Sequence, residues 1–242
     1  MTRNVTPRLA WLSAVFIALA VAAMAPPRAM AQERTSSADI LDAVVRLESR
    51  IPRDAATASG LGTHRSGHGI VIDDNGLILT IGYLILEATE IELHANDGRT
   101  VGAEYVAYDY DTGFGLVRAL TPLGIKPLRM GTSGELAERD RVLVVGSGGA
   151  DKVLGAIVVE RRVFTGFWEY MVDNAIFTSP PHDDWGGAAL VNDRGELVGV
   201  GSLFVRNARG GNVNLPGNMF VPTDLLKPVL AEMLTDGRGP GS

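Results

Sequence analysis

From Gly67 onward, apolar residues come in short runs or alternate with polar ones, and turn residues interrupt them every few positions. This is the signature of short β-strands, not of amphipathic helices, whose apolar positions recur every three or four residues. Residues 68–72 and 77–80 flank Asp73-Asp74-Asn75-Gly76. Asn-Gly between two apolar runs predicts a tight hairpin, because both central residues take positive φ. Residues 91–95 alternate in period two before a second turn, Asn96-Asp97-Gly98-Arg99, and residues 101–108 continue beyond it. Residues 116–120 read as another strand, and residues 122–136 carry turn residues that link two halves. The second half repeats the pattern at 141–145, 153–159, 163–167, 188–191 and 197–200, with Asn192-Asp193-Arg194-Gly195 as a further hairpin turn.

Upstream, residues 40–47 fit either a first strand or a short helix, and residues 52–62 read as a loop. Near the end, residues 220–223 precede a segment, 224–234, in which Leu225, Leu226, Val229, Leu230 and Met233 fall at helical spacing, with Thr223 or Asp224 as N-cap. Roughly a dozen short strands in two sets, closed by one helix, predict an all-β sandwich or a pair of barrels.

Composition narrows this picture. The chain has 242 residues, 46% hydrophobic and 21% charged, which suits a packed core. Residues 1–31 read as an export signal: Arg3 and Arg8, an apolar run over 9–25, and Ala29-Met30-Ala31 as a small-x-small cleavage site. The apolar run is short for a membrane span, although an uncleaved anchor remains the alternative. Cleavage removes Arg3, Arg8 and Arg28 from 22 basic residues, leaving 19 against 28 acidic ones and a net charge of −9. Such a surface argues against nucleic acid or an anionic membrane as partner. There is no cysteine, hence no disulfide, thiol chemistry or Cys-based zinc site. The expected divisions are the signal (1–31), an N-terminal extension with the first strand (32–62), the β domain (63–234) and a flexible tail (235–242).

Four segments in this order resemble blocks of the HtrA/Deg type of trypsin-like serine protease domain. Residues 66–80 are similar to that family's hairpin leading to its catalytic His. Thr112-Gly113-Phe114-Gly115-Leu116-Val117 is similar to its Asp block, residues 186–199 to the segment after its Ser, and Met219-Phe220-Val221-Pro222-Thr223 with the next helix to the domain's end. The resemblance spans about residues 44–230. It implies two six-stranded chymotrypsin-like barrels with a C-terminal helix and a cleft between them. Many relatives carry a PDZ domain beyond that helix, whereas this sequence ends at Ser242, and no such module is expected.

By the same resemblance, the places of the family's His, Asp and Ser hold Tyr83, Gly113 and Trp185. Acyl transfer needs a nucleophile, a base in reach of it and a group that orients the base. Trp185 has neither oxygen nor sulfur in its side chain, Tyr83 titrates near pH 10 when unperturbed, and Gly113 has no side chain. The family's oxyanion-hole glycine is replaced by Asp183, followed by Asp184. A carboxylate repels an oxyanion by about 4 kcal/mol at about 4 Å, and loss of one good donor costs about 2.7–4 kcal/mol. No catalytic residue, cofactor or metal is therefore assigned. The reading expects no hydroxyl bonded to an imidazole in the groove between the barrels.

The remaining candidates are weaker. His182, with Ser179, Asp183 and Asp184, could form a relocated triad or contact a metal, but the segment reads more simply as a polar surface loop. His64 and His68 suit solvated or core-satisfied roles, and His94 a surface position. Gly146-Ser147-Gly148-Gly149 lacks the Lys-Ser/Thr of a phosphate loop and reads as a turn. Trp168, with Phe164, Phe167 and Tyr170, suits a packing role. Three functions stay in play: an exported pseudoprotease binding a protein or peptide, an active hydrolase using other residues, and a structural subunit of an envelope complex.

Overall fold

The computed structural model describes Met1, residues 35–166 and residues 171–237. The expected export signal after Met1, Phe167, Trp168, Tyr170 and the last five residues lie outside the described residues.

Twelve strands close into two six-stranded antiparallel barrels. The first contains β1 (Val44–Arg50), β2 (His64–Val71), β3 (Leu77–Ile81), β4 (Glu90–His94), β5 (Thr100–Tyr108) and β6 (Phe114–Ala119), in the order β1-β2-β3-β6-β5-β4. The second contains β7 (Arg141–Val145), β8 (Val153–Thr165), β9 (Met171–Ser179), β10 (Ala189–Val191), β11 (Leu197–Val205) and β12 (Gly217–Pro222), in the order β10-β11-β12-β9-β8-β7. The pair of barrels is realised, not the sandwich. Closure leaves no strand edge unpaired in either sheet.

The hairpin turns form where the sequence places them, but Asn75 does not take the positive φ expected of it: the Ile72 N–H to Leu77 carbonyl bond closes a four-residue turn in which only the glycine is left-handed. Gly76 sits at φ +75°, and Asp73 accepts the Asn75 and Leu77 N–H groups at 2.9 and 2.7 Å. Gly195 sits at φ +73°, with Asn192 accepting the Arg194 and Glu196 N–H groups at 3.0 and 2.9 Å. Alternate residues then fill each barrel: Leu47, Ile78, Leu93, Phe114 and Leu116 in the first, Val144, Val158, Ile176, Leu190 and Phe220 in the second, all with at most slight exposure. Full burial of each such side chain contributes about 1.5–3 kcal/mol.

Several elements differ from expectation. Residues 40–47 contain both alternatives: helix α1 (Ser37–Asp42), capped by Ser36, runs straight into β1. The 52–62 loop holds a short helix, α2 (Ala58–Leu61). The two strands expected at 153–159 and 163–167 are one strand, β8, whose ladder with β9 slips at Val158/Glu160 and Arg162/Phe164. Such bulges break the alternation that marks a strand in sequence without ending the strand. The closing helix α3 (Leu230–Asp236) begins later than expected, and neither Thr223 nor Asp224 caps it. They belong to a 3-10 turn, where Asp224 accepts the Gly134 N–H at 2.7 Å. Pro228 follows Lys227 and disfavours helical backbone there. At its other end α3 runs into the expected tail and stops at Gly237, φ +73°.

Candidate functional site

A groove of about 910 Å³ runs between the barrels. Ser66, His68, Tyr83 and His94 face it from the first barrel; Ser147, Lys152 and residues 183–186 face it from the second. Tyr83 lies in the 3-10 turn after β3. Gly82 holds that turn against the 109–113 loop, donating to the Gly113 carbonyl at 2.7 Å. The loop is shaped by Asp109, whose carboxylate takes the Thr112 N–H at 3.1 Å and the Thr112 hydroxyl. Gly113 has φ +79°, a conformation costly for any residue with a side chain. The Tyr83 hydroxyl crosses to the second barrel and donates to the Ser202 carbonyl at 3.0 Å. A methyl group on Gly186 would come within 2.9 Å of that hydroxyl. Trp185 is half-buried, tilted against Phe204 with ring centroids 5.9 Å apart. Tyr83 and the Trp185–Gly186 segment therefore meet in the groove, whereas Gly113 backs Gly82 and is not part of the groove lining.

Asp183 lines the groove. Asp184 binds Lys152 at 2.8 Å, and this ion pair holds its carboxyl below the usual range. The segment is anchored through its backbone: the Gly186 carbonyl accepts the His68 N–H at 2.9 Å, and Gly187, at φ +76°, donates to Gly201 at 2.8 Å.

One expectation is corrected here. The groove does contain a hydroxyl against an imidazole: Ser147 Oγ is 2.9 Å from His68 Nδ1. The same nitrogen accepts the Ser147 backbone N–H at 3.1 Å, which assigns the ring proton to Nε2, and Nε2 donates to the Asp184 carbonyl at 3.1 Å. His68 thus bridges the first barrel to two segments of the second. Burial, its largest influence, pulls the ring from the ordinary 6.5 to about 4. The imidazole is neutral at pH 7 but a weak proton acceptor; the shift adds about 3 kcal/mol to the cost of forming imidazolium there. Its outer partner is a peptide carbonyl, not a carboxylate, and Ser147 is only 9% exposed. The adjacent Gly148 N–H is engaged by Asn96 at 2.8 Å. The contact spans 79 residues of sequence. The turn reading of residues 146–149 carried no signal of it beyond a serine between glycines.

The relocated set around His182 does not assemble. His182 is buried, contrary to a surface loop, because its Nε2 donates to the Lys152 carbonyl at 3.1 Å and its Nδ1 accepts the Asp184 N–H at 3.1 Å. Ser179 donates to the Pro216 carbonyl at 2.9 Å instead. His64 is exposed, and His68 is core-satisfied as one of its two expected roles.

The comparisons follow the same architecture. The periplasmic serine endoprotease DegP of Escherichia coli K12 is 26% identical over 175 residues, 71% of this chain and 36% of its own length. The serine protease PepD of Mycobacterium tuberculosis is 28% identical over 240 residues, 90% of this chain and 49% of its own length. The chain thus spans about half or less of the curated relatives it matches. Among solved structures, the HtrA-type protease AlgW with a tripeptide superposes with a TM-score of 0.65 at 18% identity, covering 84% of this chain and 64% of that one. The family described as the trypsin-like peptidase domain matches residues 67–200, more than half of the sequence; with its two closed barrels and the groove between them, this chain belongs to that family.

Proposed function

We propose that this chain is an exported, non-catalytic member of the family that binds an extended peptide or protein segment in the inter-barrel groove. The observation that carries this reading is what occupies the three positions that the family resemblance singles out. Tyr83 spends its hydroxyl on a backbone carbonyl, Gly113 offers no side chain, and Trp185 presents an indole beside Phe204, which is 42% exposed. An aromatic side chain lining a groove, packed against a second one, is a strong anchor for a partner and no nucleophile. Export rests on the apolar run at 9–25 with the Ala29-Met30-Ala31 site and on the periplasmic naming of DegP. No helix among the described residues is long and apolar enough to cross a membrane.

Fluorescence anisotropy with labelled, unfolded casein tests the binding. Saturable binding weakened about tenfold or more by Trp185→Ala is expected; binding indifferent to that change refutes the site. The Ser147–His68 contact supports a second reading, a hydrolase with a displaced nucleophile. Labelling of Ser147 by a serine-reactive fluorophosphonate, abolished by Ser147→Ala and accompanied by casein cleavage, would establish it in place of the first.

A further inference from the structure

At the rim of the groove, strands β1 and β4 carry a cluster of which Arg46 and His94 also line the groove while Glu48 and Glu92 do not. Strands β1 and β4 pair so that Glu48 stands directly opposite Glu92, and Arg46 opposite His94. Two carboxylates directly across a ladder repel each other. On the next strand, β5, the neighbours are Gly102 beside Glu92 and Thr100 beside His94. The His94 ring is oriented by Thr100, whose hydroxyl lies 2.9 Å from Nδ1. With the Nδ1 proton donated to that hydroxyl, Nε2 presents a lone pair, and it presents it to the carboxylates: 3.7 Å to Glu48 Oε2 and 3.9 Å to Glu92 Oε2. Both distances are too long for hydrogen bonds. Nε2 is buried as an atom and has no hydrogen-bond partner among the described residues. The three ligand atoms lie within 4.8 Å of one another.

We propose that Glu48, Glu92 and His94 form a binding site for a divalent transition-metal ion, with Zn²⁺ as the best match. One imidazole nitrogen and two carboxylate oxygens are a borderline-soft donor set of the kind zinc accepts. Tetrahedral zinc, with bonds of about 2.0–2.2 Å, brings ligand atoms to roughly 3.4 Å from each other. The two His94 Nε2 separations reach that by side-chain shifts of a few tenths of an ångström, and the carboxylate oxygens start within 4.8 Å of each other. Arg46 pairs with the other oxygen of Glu48 and leaves Oε2 to the metal. With His94 neutral, the cluster of Glu48, Glu92 and Arg46 carries one net negative charge, a complement to a dication. The Thr100 contact supplies the outer hydrogen bond that fixes a metal-ligating histidine's tautomer. Three protein ligands leave the fourth position to water. The ion would join β1 to β4, the seam at which the first barrel closes, and so act as a staple beside the groove.

Isothermal titration of the metal-free full-length protein with ZnCl₂ at pH 7.5 tests this. One Zn²⁺ per chain is expected, with a raised thermal midpoint. Both effects should fall by on the order of 100-fold in affinity in His94→Gln and in Glu92→Gln, and by about tenfold in Thr100→Val. Glu92 is largely exposed, so Glu92→Gln keeps the test valid if the histidine variant does not fold. Absence of saturable binding below millimolar Zn²⁺, or binding that survives both ligand substitutions, overturns the site.

Discussion

Protonating His68 should weaken the protein in a pH window set by that one ring. The folded ring titrates at about 4 and an ordinary histidine at 6.5. The folded state therefore binds its proton less tightly than the unfolded state. Well above pH 6.5 the difference has no effect. As pH falls through 6.5 the unfolded chain gains a proton that the folded one refuses, and stability drops until the folded ring also titrates near 4. Between pH 7 and pH 5 the loss from His68 is about 2 kcal/mol, approaching about 3 kcal/mol near pH 4. The ring is 5% exposed, so solvent screening reduces this little. The carboxyls of Asp184, Glu196 and Asp224 are held below their ordinary values of 3.8, 4.5 and 3.8, and their contributions disappear mostly at more acid pH. Urea unfolding followed by circular dichroism at pH 7, 6 and 5 is the assay, on the wild type and His68→Gln. The wild type should lose about 2 kcal/mol more than the variant over that range. Equal losses would refute the argument, as would an NMR titration of the His68 ring with a midpoint at or above pH 6; the latter applies even if the variant fails to fold.

Trp185→Ser should show no casein hydrolysis, since Tyr83 and Gly113 supply neither a base nor its orienting group; clear turnover by this single variant would refute the assignment of the three positions. Gly187→Ala should cost at least about 3 kcal/mol in denaturant unfolding, because it combines a backbone at φ +76° with a methyl group overlapping the His68 carbonyl oxygen; a cost below 1 kcal/mol would show that the two barrels are not locked together there. Tyr83→Phe should cost about 1 kcal/mol by removing the hydrogen bond to Ser202, and an unchanged unfolding midpoint would mean that this cross-barrel contact carries no net energy.

The β-rich class, the turns at Gly76 and Gly195 and most strands were legible because each depends on neighbours a few residues away. Alternation in period two selects a face, and a glycine at positive φ selects a turn, whatever the rest of the chain does. The bulges of β8 break the alternation, so the sequence divides it into two strands, and Pro228 delays α3, which spacing alone starts earlier. Of the positions that the family resemblance singles out, Tyr83 and Trp185 line the same groove, while Gly113 lies outside its lining.

Other features had no local signal. His68 faces Ser147 and Asp184 across a groove, and His94 faces Glu48 across a ladder register. Neither pairing follows from spacing, since each is decided by how a sheet closes and how two closed sheets dock. Burial then set the chemistry: the same imidazole would be an ordinary base in water and is a poor one between the barrels, where no solvent stabilises its charge. The linear chain determined a body of short strands in two sets with a closing helix, while only the three-dimensional packing decided that each set closes into a barrel, which distant polar groups meet and how strongly each holds a proton.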